Sequence, residues 1–227
     1  MKFLLYNIYK GCKGKERFNN LIKFIKEEDP DIFGLLEMDG WRDKDFKRVM
    51  EFKNELFNIY PYAIFLESNY TNHDIGLFSK KPIGMVEKLD FRNNGLICSF
   101  VHNSKSIDVA LIHLHPHSDV KREEEMDELF RQIRIGGCTI IMGDFNESPK
   151  FSYFNKTGDK LLYSFYSSTN TVPTLYNTDE LHKKDAIKDY FLYTSDLDGR
   201  TVEGKVIKNK ITDHLSDHYP VTLTIDI

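Results

Sequence analysis

The sequence predicts an α/β fold in which two mixed β-sheets pack face to face, with helices outside. About ten short apolar runs read as strands, helical stretches are interleaved among them, and several neighbouring strands lie close enough for hairpins. Ten strands are many for one open twisted sheet; packing two sheets face to face resolves this. No repeat, low-complexity tract or linker divides the chain, so residues 1–227 are read as one domain.

The elements follow in order. "FLLYN" (3–7) is a buried strand. Phe18, Leu21, Ile22 and Ile25 recur at helical spacing over 17–28. "DPDIFGLLE" gives a Pro-marked break and a second strand ending at Glu37. A helix over 44–58 would bury Phe46, Val49, Met50, Leu56 and Phe57. Strands follow at 62–67, 74–79, 82–91, 95–102 and 106–114. Met126, Leu129, Phe130 and Ile133 mark a helix after Arg122, and "CTIIMGD" (138–144) returns to strand. Residues 150–185 are rich in Ser, Thr, Asn and Tyr without a period, and predict loops with short elements. Strands at 185–194, 201–208 and 219–227 close the chain.

Composition narrows the function classes. The 227 residues are 41% hydrophobic and 29% charged, as in a soluble globular protein. A net charge of -4 supplies no bulk cationic field to hold nucleic acid. A phosphate-bearing substrate must then be held locally, by a metal or a few positive groups. Cys12, Cys98 and Cys138 are too few and scattered for a disulfide framework or a zinc cluster. Cys98 and Cys138 lie in apolar runs and are expected as buried reduced thiols; Cys12, after a Gly, is left open. "MKFLLYNIYKG" is too short for a signal-peptide core, and no run reaches membrane-spanning length. A cytoplasmic monomer without membrane insertion is expected.

Polar residues collect at strand ends. Asn7 ends the first strand, Glu37 the second, and His113 comes late in "VALIHLHPH". Asp144 and Asn146 end "TIIMGD", Asp189 sits in "AIKDYFL", and Asp217 and His218 precede the last strand. Any one of these has a structural explanation as a turn, a cap or an ion pair. Together they point to a site, because layered α/β domains assemble sites at strand ends. In "GDFN", residues i and i+2 of an extended segment face one side, so Asp144 and Asn146 are expected to share a site while Phe145 turns to the core. A carboxylate can activate water, and a carboxamide can donate to a phosphate oxygen. Gly143 allows close backbone approach.

The ordered set "LLYN", "PDIFGLLE", "GLFSKKPI", "IHL", "GDFN", "KDYFL" and "SDHYPV" resembles the endonuclease/exonuclease/phosphatase superfamily over almost the whole chain. The resemblance implies a DNase I-like four-layer sandwich and a metal-dependent phosphodiester hydrolase, a nuclease above all. By the same resemblance, Glu37 is the main ligand of Mg²⁺ or Mn²⁺, with Asn7 nearby directly or through water and Asp217 beside the metal. His218 contacts the scissile phosphate and Asp189 orients it. His113 protonates the leaving group, Asp144 activates water and Asn146 holds phosphate. Water then attacks phosphorus in line. Whether one or two metals act stays open.

Alternatives remain within and beyond that class. A phosphatase or a sphingomyelinase-like phospholipid hydrolase uses the same fold. Tyr9 stands where abasic-site enzymes commonly place an acid, and His113 where they place a Tyr. "HLHPHSD" alternates His113, His115 and His117 and resembles, poorly, the zinc motif of metallo-β-lactamase-like hydrolases. A catalytically silent phosphate-binding protein is a third class. "TDHLSDHYPV" holds two Asp-His pairs; Asp217-His218 is chosen over Asp213-His214 because a Pro and a strand follow it at once. Lys80, Lys81, Lys121 and Arg122 are candidate phosphate holders near site loops.

Overall fold

The computed structural model describes residues 1–133, 137–149, 162–165, 169–172, 174–176, 186–194, 197 and 202–227, with the backbone alone at 43–46, 162–165 and 202. The loops expected over 150–185 thus lie mostly outside the described residues, as do Asp185 and Thr201 of two expected strands.

Among the described residues, twelve strands form two six-stranded sheets. The first is ordered β11 (Val202–Val206), β12 (Val221–Ile225), β1 (Lys2–Asn7), β2 (Ile32–Leu36), β4 (Ile75–Ser79) and β3 (Tyr62–Leu66). The second is ordered β5 (Val86–Leu89), β6 (Gly95–His102), β7 (Lys105–His113), β8 (Cys138–Asp144), β10 (Asp189–Thr194) and β9 (Leu162–Phe165). Both sheets are mixed. β1 runs parallel to β2 and β7 parallel to β8, and every other pairing is antiparallel. A parallel pair needs a crossover. Helix α2 (Lys15–Glu28) supplies it in the first sheet and α4 (Asp119–Gln132) in the second. Helix α3 (Asp43–Leu56) lies beside α2, and Tyr9–Cys12 forms a four-residue helical turn, α1, broken by positive φ at Lys10 and Gly11.

The sandwich explains why the strands read as continuous apolar runs. Each sheet is covered on both faces, so both sets of alternating side chains must be apolar. In β1, Phe3 and Leu5 enter the core between the sheets, with Leu77, Leu111, Met142 and Phe191. Leu4 and Tyr6 face α2 and α3, against Phe18, Leu21 and Phe52. On the far side, Ala110, Ile112 and Ile141 pack under Met126, Leu129 and Phe130 of α4. Each fully buried Leu, Ile or Phe contributes about 1.5–3 kcal/mol relative to exposure.

Some local expectations change. Of the strand expected over 82–91, only Val86–Leu89 forms a ladder, on the outer edge of its sheet, where one neighbour supplies hydrogen bonds. Met50 and Phe57 were expected in the core but are exposed at 53% and 55%; sheet contact covers only the stripe of α3 carrying Val49, Phe52 and Leu56. Lys80 follows β4, which runs antiparallel to β2, so it emerges at the end opposite Glu37 and binds Asp29 instead. Arg122 is buried within α4 and its ion pairs go to Asp119 and Glu147. Cys98 is buried as expected and Cys12 is buried too, but Cys138, the first residue of β8, is only partly buried because it opens the strand at the sheet's rim.

Candidate active site

The site is the inter-sheet core continued one step beyond its apolar part. In β1 the inward positions run Phe3, Leu5, Asn7. In β7 they run Val109, Leu111, His113, and in β8 Ile140, Met142, Asp144. β10 runs the other way, so its inward residues, taken toward the same end, are Phe191 and then Asp189. The strand period of two aims each polar residue into the cleft. Register aligns them: His113 pairs with Asp144 across the parallel β7/β8 ladder, and Asp189 pairs with Asp144 across β10/β8. Asn7, His113, Asp144, Asp189, Asp217 and His218 are all buried.

Asp144 is the hub. Its Oδ2 accepts from Asn7 Nδ2 at 3.1 Å and lies 3.7 Å from His113 Nε2 and 3.8 Å from His218 Nε2. His218 Nδ1 meets Asp189 Oδ2 at 2.7 Å. The Asp189 backbone N–H donates to Thr171 Oγ1, and the Thr171 carbonyl accepts from Tyr219 N–H, tying the two loops together. Ser216 Oγ donates to the Asn7 carbonyl at 2.6 Å, fixing the loop that carries Asp217 and His218 against β1. His214 lies in a separate turn, Thr212–His214. It is therefore His218, not His214, that faces Asp144 and Asp189.

Charge follows from these contacts. Burial opposes a charge on His218, but the Asp189 and Asp144 carboxylates outweigh it and hold its pKa up at about 10. Asp144 is pulled below its usual value: burial pushes up, and His218, His113 and Lys188 more than compensate. Asp189 is raised by burial against the pull of His218. His113 is lowered by burial despite Asp144 and Glu37 nearby, and its Nδ1 is buried without a hydrogen-bond partner.

Glu37 sits just past β2 at φ 56°, and it faces the same cleft. Its Oε1 accepts from Asn7 Nδ2 at 3.1 Å and its Oε2 from Lys10 N–H at 3.1 Å. Asn7 turns its amide nitrogen to both carboxylates while its Oδ1 accepts from Tyr9 N–H. Asp217 Oδ1 lies 3.3 Å from Ser216 Oγ. The chain does not stay extended after Asp144. Asn146 has φ 52°, its N–H donates to Asp144 Oδ1 at 2.8 Å, and its Nδ2 donates to the Leu114 carbonyl. A side-chain-capped turn, not the strand period, thus keeps Asn146 beside Asp144. Phe145 does turn to the core, stacked on Tyr190 at 4.0 Å.

Extended alternation ends at His113. The backbones of His115 and Arg92 are pinned by Glu125, and His117 N–H donates to His115 Nδ1. Among the described residues, two sets of His, Asp and Glu lie close enough to share a cation, and neither includes His115 or His117. One is Asp144, Asp189 and His218; the other is Glu37, Asp39 and His73. The second set contains two residues the sequence reading missed. His73 Nδ1 lies 3.1 Å from Asp39 Oδ1. Burial opposes the His73 charge, but the Asp39 hydrogen bond and the Glu37 carboxylate raise its pKa. The available signal was an acid two residues after Glu37 and a His just before "DIGLFS", a strand then unpaired.

A four-layer sandwich with an Asp-His cluster at one end of its paired sheets is the DNase I-like arrangement. The chain belongs to the endonuclease/exonuclease/phosphatase family, whose family model matches residues 4–218. Solved structures share the fold. An endonuclease/exonuclease/phosphatase family protein from Leptotrichia buccalis C-1013-b aligns over all of both chains, with a TM-score of 0.77 at 16% identity. TDP2 from D. rerio, solved with a single-strand DNA product, aligns over 100% of this chain and 99% of its own, with a TM-score of 0.76 at 14% identity. The human Nocturnin catalytic domain, solved with a sulfate anion, aligns over 100% of this chain and 93% of its own, with a TM-score of 0.73 at 15% identity. No curated protein matches the sequence. Among the described residues, no helix is long and apolar enough to cross a membrane.

Proposed function

We propose that this chain is a divalent-metal-dependent phosphodiesterase that cleaves a nucleic-acid strand by in-line attack of water on phosphorus. The observation that carries it is the convergence of His113, His218 and Asn7 on one oxygen of Asp144, with Asp189 behind His218. A buried carboxylate held ionised beside two imidazoles can take a proton from water, and a charged imidazole can stabilise a phosphorane-like transition state.

The roles divide by charge. His218, kept protonated by Asp189 and Asp144, neutralises the phosphoryl oxygens. Asp144 orients and deprotonates the water, steadied by Asn7 and by the Asn146 backbone. Asn146 holds a phosphate oxygen once its amide leaves the Leu114 carbonyl. His113, neutral when free, gains its proton as the phosphate's negative charge arrives and gives it to the leaving oxygen. Glu37 is the principal donor to Mg²⁺ or Mn²⁺: its carboxylate faces the cleft, and oxygen donors fit a hard cation. Asn7 fixes that carboxylate, and Asp217 adds negative charge from behind Ser216. A cation there would supply charge neutralisation at phosphorus.

A nucleic-acid strand is favoured by the rim. Tyr9 and Tyr176 meet edge to face with centroids 6.2 Å apart, Arg17 lies 4.0 Å from the Tyr176 centroid, and Lys10 donates to Tyr9 Oη. Aromatic rings interleaved with cations suit bases and phosphates. They adjoin the cleft, since Tyr9 N–H and Lys10 N–H bind Asn7 and Glu37. The TDP2 structure's single-strand DNA product supports the same substrate class. A cytoplasmic monomer remains part of the proposal.

The test is a panel. Single-stranded and duplex DNA, RNA, nitrophenyl phosphodiesters, phosphomonoesters and sphingomyelin are each incubated with Mg²⁺, Mn²⁺ or Zn²⁺ after chelation. Strand cleavage restored by Mg²⁺ or Mn²⁺ is expected. Turnover confined to monoesters or lipid headgroups would move the substrate to the phosphatase or sphingomyelinase alternative. Turnover with zinc alone would restore the zinc reading, and none with any metal would favour a silent binding protein.

A further inference from the structure

Glu37 faces two ways. One oxygen meets Asn7 in the cleft, and the other turns toward Asp39 and His73, which the proposed reaction does not use. Topology brings these three together. β4 is antiparallel to β2, with Leu35 opposite Gly76, so the segment entering β4 returns to the edge where Glu37 leaves β2. Met38 N–H donates to the Asp74 carbonyl at 2.8 Å and pins the two segments. Asp74 is itself held by Arg42 and by the Ser68 backbone N–H. The frame is therefore built before any ligand arrives.

The donors converge. His73 Nδ1 lies 3.1 Å from Asp39 Oδ1 and 3.9 Å from Glu37 Oε2. One ligand atom from each residue lies within 4.8 Å of the others, and all three side chains are half-buried, so a cation could enter from solvent. A single ring nitrogen faces both carboxylates, so one cation placed among them would meet all three donors.

We propose that Glu37, Asp39 and His73 form a three-donor site for a divalent transition metal of the Mn²⁺ class, bound through one imidazole nitrogen and two carboxylates. This rests on the proposed role of Glu37 and adds two residues and a selectivity to it. Mg²⁺ demands oxygen donors and gives up its water reluctantly, whereas imidazole suits the first-row transition metals. The site should therefore hold Mn²⁺ in preference to Mg²⁺.

The experiment is Mn²⁺ titration of the full chain, followed by EPR, with pulsed EPR to detect ¹⁴N coupling. One Mn²⁺ with imidazole ¹⁴N modulation is expected, together with weak displacement by excess Mg²⁺. His73→Gln should remove the modulation and weaken Mn²⁺ by about tenfold or more, the scale at which supporting groups alone act. His73→Asn serves where the first variant folds poorly, because its amide preserves a donor toward Asp39. Asp39→Asn should weaken Mn²⁺ but keep the modulation, and His218→Gln should change neither. Mn²⁺ bound without ¹⁴N coupling, coupling that survives both His73 variants, or no Mn²⁺ bound would overturn the site. Mg²⁺-driven strand cleavage in any of those cases would leave the proposed function standing.

Discussion

Asp189 and Asp144 stand directly opposite each other on antiparallel strands, and His218 spans them, 2.7 Å from one and 3.8 Å from the other. Two buried carboxylates so close repel, and one imidazolium between them relieves both. That arrangement orients the ring and keeps it charged at neutral pH.

His218→Ala should therefore lower turnover by on the order of 10²–10⁴ while leaving the fold intact. His214→Ala, in its separate turn, should leave turnover near the parent's. Paired steady-state assays of the two variants check this. The opposite ranking would mean that the wrong Asp-His pair was chosen.

The same triad links stability to pH. The folded pKa of His218, about 10, lies above its unfolded value of 6.5. Its stabilising contribution is then complete below about 6.5 and is lost as pH rises toward 10. Denaturant midpoints measured between pH 6 and 10 should fall across that window. Asp189→Asn should flatten the fall, because it removes the largest favourable charge. Equal slopes in parent and variant would place the alkaline loss elsewhere.

Gly143→Ala should be costly for a reason that the sequence only hinted at. A Cβ there would lie 2.5 Å from both Cγ1 and the carbonyl oxygen of Ile112, its partner across the parallel β7/β8 ladder. A backbone oxygen has nowhere to go, so the strands must separate. Overpacking of this kind costs about 1–3 kcal/mol, which in a chain of this size lowers Tm by roughly 2–4 °C per kcal/mol. Because His113 follows Ile112 and Asp144 follows Gly143, turnover should fall with Tm. A thermal melt unchanged from the parent would show that the ladder tolerates the methyl group.

How much of this was legible depended on range. Asn7, His113 and Asp144 could be read because each ends a continuous apolar run that both covered faces of the sandwich demand. Asp189 and His218 could be read from order and motif, but only the folded loop before β12 shows that they meet. His73 could not be read. It is 34 residues from Asp39, and their contact exists only because β4 folds back on β2. Met50 and Phe57 misled for the converse reason: helical spacing marks an apolar stripe without saying how wide a stripe the sheet covers.

His113 separates the chemistry of the leaving group from that of the water. Its Nε2 lies 3.7 Å from Asp144, its ring is buried, and burial lowers its pKa. A depressed pKa makes its protonated form a strong donor, and an incoming phosphate restores the population of that form. Proton donation matters most for a poor leaving group such as a ribose alkoxide, and little for nitrophenolate. His113→Ala should slow cleavage of natural diesters by on the order of 10²-fold or more and affect nitrophenyl esters far less. Asp144→Ala should slow both, because water must be activated whatever leaves. Parallel kinetics on the two substrates decide the matter. Equal losses from His113→Ala would assign that histidine to holding Asp144 in place rather than to the leaving group.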